Sequence, residues 1–119
     1  MATKTWSSSR FTKGVVISTV VLEAGDVSND LDIPNYPDKT VHLASGTFGD
    51  STVSILGSNN VSATFQPLHR TDDPTKNYSG LTALILGHIL ENPSYIRASA
   101  TGATGTGLSI TITASTPRG

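Results

Sequence analysis

Near the end of the chain, Leu108, Ile110 and Ile112 alternate with Ser109, Thr111 and Thr113. A strict period of two makes one face of a strand apolar and the other polar, whereas a helix would scatter the same residues around its circumference. The pattern recurs: Val41 and Leu43 alternate with Thr40, His42 and Ala44 over Lys39 to Ser45, and Val53 and Ile55 alternate over Thr52 to Gly57. Ile96, Ala98 and Ala100 alternate with Tyr95, Arg97 and Ser99. Between Gly14 and Leu22 the run Val15, Val16, Ile17, Val20, Val21, Leu22 is dominated by β-branched residues, which favour the pleated backbone. About seven or eight short strands follow, and one-faced strands become stable by packing face to face. The expected fold is all-β: an antiparallel β-sandwich, jelly-roll-like, because no helical segment is available for parallel crossovers.

Turn chemistry separates these runs. Gly46, Gly49 and Asp50 mark a turn after Ser45, and Ser58-Asn59-Asn60 marks another before a strand at Ser62 to Leu68, so two hairpins in succession are predicted. Arg70 to Ser79, with Asp72, Asp73, Pro74 and Asn77, reads as a long polar loop. Gly80 to Glu91 carries a helix-like stripe of Leu81, Leu84, Ile85 and Ile89, but its shortness and Gly87 favour a strand. Glu23 to Asp38 holds Glu23, Asp26, Asp30, Asp32 and Asp38 without a base, and Pro34 and Pro37 withhold backbone donors. It is expected to be an acidic connecting loop with Leu31 and Ile33 in a short edge strand. Residues 1–13 differ in kind. They show no alternation, and Lys4, Arg10 and Lys13 lie among Ser and Thr with Trp6 and Phe11, a basic arm with two aromatic anchors preceding one sandwich domain at 14–119.

Charged residues are only 14% of the 119, and eight Lys and Arg against nine Asp and Glu leave a formal charge of −1. Such a chain creates no field that would gather nucleic acid or an anionic membrane, so neither is an expected partner. With no cysteine, packing and backbone pairing must stabilise it, which suits assembly in a reducing cytosol. Met1 to Arg10 lacks the apolar core of a signal peptide, and Leu81 to Leu90 is too short to span a bilayer, so a soluble protein is expected.

Few residues are arranged for catalysis. His42, His69 and His88 lack the i, i+4 spacing of a helical metal motif, and the pair Asp72-Asp73 has no partner in sequence. Gly102 to Gly107 leads into a strand rather than a helix with a leading Lys-Ser or Lys-Thr, so a hairpin loop is expected and not a phosphate cradle. Asp26, Asp30 and Asp32 lack the spacing of a calcium loop and read as solvated acids. Asn60-Val61-Ser62 and Asn77-Tyr78-Ser79 are formal glycosylation sequons that without secretion are only polar turns. No catalytic residue, metal site or cofactor is expected. Trp6, Tyr36 and Tyr78 are the aromatics that would serve as sugar platforms.

The segment Val41 to Asn60, containing Gly46-Thr47-Phe48-Gly49-Asp50 and Gly57-Ser58-Asn59-Asn60, resembles small phage virion proteins of the capsid decoration, or cement, type. The likeness continues in Leu90-Glu91-Asn92-Pro93-Ser94-Tyr95-Ile96-Arg97 and in Thr101 to Thr106, and covers about residues 40 to 114. Asp50 and Asn60 stand where that pattern usually has glycine, and Ala98 replaces a common proline. The resemblance implies a non-enzymatic structural protein of the virion, made in the host bacterial cytoplasm. It would bind the major capsid protein on the capsid surface and associate with itself, often as a trimer. In that setting Lys4, Trp6, Arg10, Phe11 and Lys13 are the expected attachment residues, and Glu23, Asp26, Asp30 and Asp32 the acidic surface on which a neighbour's arm would dock. A sugar-binding, lectin-like head or tail module and a small hydrolase are the rival readings.

Overall fold

The computed structural model describes residues 2–9, 14–33, 36–60 and 62–116. Within them the strands are β1 (Thr3–Lys4), β2 (Ser7–Ser9), β3 (Val15–Leu22), β4 (Val27–Ser28), β5 (Leu31–Asp32), β6 (Asp38–Thr47), β7 (Val53–Ser58), β8 (Gln66–Pro67), β9 (Ile85–His88), β10 (Tyr95–Ala100) and β11 (Thr106–Ser115). Two sheets form. One runs β1-β4-β10-β7-β8, with β5 also on β10, and the other is five-stranded in the order β2-β3-β11-β6-β9. Every pairing is antiparallel except β1 with β4. No described residue is helical, so the fold is the all-β, jelly-roll-like sandwich that the alternation predicts.

The register explains why alternation suffices. Leu108, Ile110 and Ile112 of β11 face inward beside Leu22 and Val20 of β3 and Leu43 and Val41 of β6, while Val53, Ile55, Ile96, Ala98 and Ala100 close the core from the other sheet. Ile55, Ile96, Leu108, Ile110 and Ile112 have no exposed surface, and each such side chain contributes about 1.5–3 kcal/mol by leaving water. Where β6 meets β11 the register slips near Ser109. A Cβ at Gly46 would stand 2.7 Å from the Gly107 carbonyl oxygen, and both glycines have positive φ, so the irregularity depends on them.

Several connections differ from the sequence reading. The runs Lys39 to Ser45 and Thr52 to Gly57 are not a hairpin: β6 lies in one sheet and β7 in the other. Likewise Gly102 to Gly107 carries the chain from β10 across to β11 in the opposite sheet. Alternation fixes which side of a strand faces the core but not which layer it joins, and both layers present the same pattern inward. The β7–β8 hairpin does form, although the strand expected over Ser62 to Leu68 is only Gln66–Pro67. Gly80 to Glu91 supplies the strand β9, as Gly87 and the short run predicted.

Candidate functional site

The N-terminal segment meets the acidic loop as charge complementarity predicts, but within one molecule. β1 pairs with β4, and Lys4 Nζ lies 3.7 Å from Asp26 Oδ2. The Ala2 N–H donates to Asp26 Oδ1 at 3.1 Å, and the Glu23 N–H donates to Oδ2 at 3.0 Å. Those bonds, led by the Glu23 amide, hold the Asp26 carboxyl below its ordinary range against the opposing effect of burial. Asp26 is therefore a buried tether and not a solvated acid.

Trp6 is 8% exposed and belongs to the core; its indole N–H donates to the Asn29 carbonyl at 2.9 Å, and its backbone N–H to Asn29 Oδ1 at 3.1 Å. Residues 2–9 thus lie along their own domain instead of reaching out, since an indole gains more from a ready pocket than from water. Arg10, Phe11 and Lys13 lie outside the described residues. The other loop acids are also largely engaged: Arg97 pairs with Asp30 at 2.8 Å, and Glu23 Oε2 accepts the Gly107 N–H at 2.7 Å. Asp32 is exposed opposite Tyr95.

The outer face of the five-stranded sheet is unusual in its chemistry. One row crosses it as Ser7, Thr19, Thr111, His42 and Leu86; the next is Ser9, Ile17, Thr113, Thr40 and His88. Thr19 and Thr111 share a hydroxyl hydrogen bond of 3.1 Å. Among the described outward positions of these strands, Asp38 at the rim is the one carboxylate, and there is no Lys or Arg. At the β9 edge Leu84, Leu86 and Leu90 are exposed, Leu86 by 71%.

At one end of the other sheet, Gly57, Asn59, Gln66, Pro67, Asn92 and Pro93 line a cleft of about 220 Å³. A Cβ at Gly57 would come within 2.7 Å of Leu68 Cδ2 and 2.8 Å of Pro93 Cγ, so the cleft floor requires glycine. Glu91 borders the cleft and binds both the ring Nδ1 and the backbone N–H of His69. Burial raises the Glu91 carboxyl, but the bonds from His69 outweigh it and leave it below its usual range. Behind the cleft is Lys39, 1% exposed, whose Nζ donates to the Tyr36 carbonyl and to Asn92 Oδ1.

Among the described residues no three His, Cys, Asp or Glu side chains converge as a metal site. His42 and His88 lie on the outer face, and His69 pairs with Glu91. Of the aromatic platforms, Trp6 and Tyr78 are core residues, the latter donating its hydroxyl to the His88 carbonyl at 2.6 Å, while Tyr36 is half-buried. No helix among the described residues is long and apolar enough to cross a membrane.

Solved structures share this architecture. The SPBc2 prophage-derived protein YomS matches with a TM-score of 0.53 at 9% identity, over 91% of this chain and 100% of its own. A cupin domain from Bordetella pertussis Tohama I matches with a TM-score of 0.50 at 9% identity, over 96% of this chain and 93% of its own. At such identities the likeness shows a cupin-like sandwich fold alone. No family model matches the chain, and no curated protein matches it in sequence.

Two residues that sequence reasoning missed organise the ends of the sandwich. Asp50 Oδ1 accepts the Ala103 and Thr104 N–H groups at 2.9 Å each and the Thr104 hydroxyl at 2.8 Å. Asn59 Oδ1 accepts the Ser94 N–H at 2.9 Å. The three segments that carry the resemblance to decoration proteins therefore meet in space. The one available signal was Asp50 itself, an acid at a position where the resembling pattern has glycine.

Proposed function

We propose that this protein is a structural module that decorates an assembled phage shell, binding the major capsid protein through the outer face of its five-stranded sheet. The observation that supports the reading is that face: rich in Ser and Thr, with Val15, Ile17 and Val21 half-buried or exposed and charge confined to its rim. A face without fixed charge avoids the largest desolvation cost, because no ion has to be stripped of water or paired and its hydroxyls need only hydrogen-bond partners on the capsid. Crowded copies also repel one another weakly at a net charge of −1.

In this reading the protein is made in the bacterial cytoplasm, resides on the virion surface and performs no reaction. It stabilises the shell by mass action, since it binds assembled capsomers better than dissociated subunits and adds its binding free energy to the assembled state. The apolar β9 edge is the place for a neighbouring copy, because an exposed edge strand is otherwise open to uncontrolled pairing; a cyclic trimer would cover it.

Co-sedimentation tests the function. Heads of the phage that carries this gene, purified without the protein, should take it up saturably, while dissociated capsid subunits should not. Equal binding to both, or to neither, would end the decoration reading.

A further inference from the structure

The cleft between β7, β8 and the residues before β10 has a chemistry that shell binding does not use. Asn59 and Asn92 each have the carboxamide oxygen already committed within the chain, the first to the Ser94 N–H and the second to the buried Lys39 Nζ. Their Nδ2 groups are left as donors held in fixed orientation. Gln66 lines the same cleft, is exposed, and its carboxamide makes no hydrogen bond within the described chain. Pro67, half-buried, adds an apolar ring face above the buried Pro93, and Glu91 adds a carboxylate at the margin.

Lys39 strengthens the case. Its ammonium is buried without a carboxylate at ion-pair distance among the described residues, a costly arrangement offset only by the hydrogen bonds it donates to the Tyr36 carbonyl and Asn92 Oδ1. The ammonium donates to Asn92 Oδ1 from the buried side. Drawing electron density toward that oxygen makes the Nδ2–H bonds stronger donors, as expected of polarised hydrogen-bond chains in a low dielectric.

We infer that this cleft is a binding site for one neutral sugar ring, with the Asn59, Gln66 and Asn92 carboxamides bonding its hydroxyls and the half-buried Pro67 meeting its C–H face. Planar amides suit vicinal hydroxyls because each offers a donor, and where free an acceptor, in one plane. The volume of about 220 Å³ is below the roughly 300 Å³ at which pockets for drug-sized ligands begin, so it takes a single ring and not a chain buried along its length. Glu91 disfavours an anionic ligand at the margin. The site is independent of the outer face and stands or falls apart from the decoration reading.

The test is a titration of the full-length ¹⁵N-labelled protein, followed by the side-chain NH₂ resonances of Asn59, Gln66 and Asn92. The probes are glucose, galactose, mannose and N-acetylglucosamine, with glycerol as the non-ring polyol control. At least one sugar should move these resonances saturably in the millimolar range while glycerol does not. Gln66→Ala, which removes no bond made within the chain and should fold normally, should weaken that response about tenfold, the effect of losing one to two hydrogen bonds. Absence of a saturable shift with all four sugars, an equal response to glycerol, or unchanged affinity in Gln66→Ala would each overturn the site.

Discussion

Asp26 shows how a side chain that looks like surface in one dimension becomes structural in three. Its partners Ala2, Lys4 and Glu23 surround it only because β1 lies beside β4, and no local spacing announces that pairing. Because its folded pKa is lowered from 3.8, the stability it contributes is present above about pH 4 and is lost as pH falls through the folded value. Urea unfolding should therefore show wild type weakening below pH 4, with Asp26→Asn less stable at pH 7 but flatter across the acid range. Parallel acid profiles would remove Asp26 from the tether. Lys39 titrates in the opposite sense: burial lowers its pKa from 10.5, so the unfolded chain holds the proton more tightly and stability rises with pH between the folded value and 10.5. Lys39→Met should abolish that rise, which a stability series from pH 7 to 10.5 will register. The sequence places Lys39 at the start of an alternating strand, and its inward register follows from Val41 and Leu43; its partner Asn92 does not, being far along the chain.

At the scale of elements, the long strands were legible with their faces, while the short ones were either placed without their extent or missed. β6, β7, β10 and β11 follow directly from period-two runs, because each buries one face and that need is written in alternate residues, while β3 follows from its β-branched residues. β5 was expected from Leu31 and Ile33, and β8 only as part of a longer run; β1, β2 and β4 are two or three residues long, carry no period, and exist because a neighbouring strand offers them backbone partners. The N-terminal residues fall in this class, which is why Trp6 read as an anchor for a neighbour when its pocket lies in its own domain. Trp6→Ala should cost about 3–5 kcal/mol, since it removes a buried aromatic and leaves the Asn29 carbonyl short of a donor. Thermal or denaturant unfolding measures this, and a loss under 1 kcal/mol would mean that the segment lies loosely on the sandwich. Ile110→Asp, by contrast, should prevent folding altogether, because Ile110 has no exposed surface and an unpaired carboxylate there has no partner. A soluble, β-rich Ile110→Asp protein by circular dichroism would contradict the inward register of β11.

For the whole molecule, the fold could be read from the chain, whereas the layer assignment and the candidate surfaces needed coordinates. A sheet's outer face is assembled from strands distant in sequence, so the scarcity of charge across β2, β3, β11, β6 and β9 becomes visible only when their register is known. The leucine edge gives one consequence for assembly: light scattering should show an oligomer, with a trimer expected, and Leu86→Glu should return it toward the 12.4 kDa monomer. A wild-type monomer at high concentration would remove the edge as a contact between copies. The most direct measurement concerns the face itself. Thr113 lies on β11, the central strand of the face, half-buried between Ile17 and Thr40, so Thr113→Glu places a charge well inside the face while leaving the core untouched. With folding verified by circular dichroism, retention of this variant on assembled heads should fall at least tenfold relative to wild type, the penalty for burying one unpaired charge at an interface. Undiminished retention of a folded Thr113→Glu protein would contradict attachment through this face.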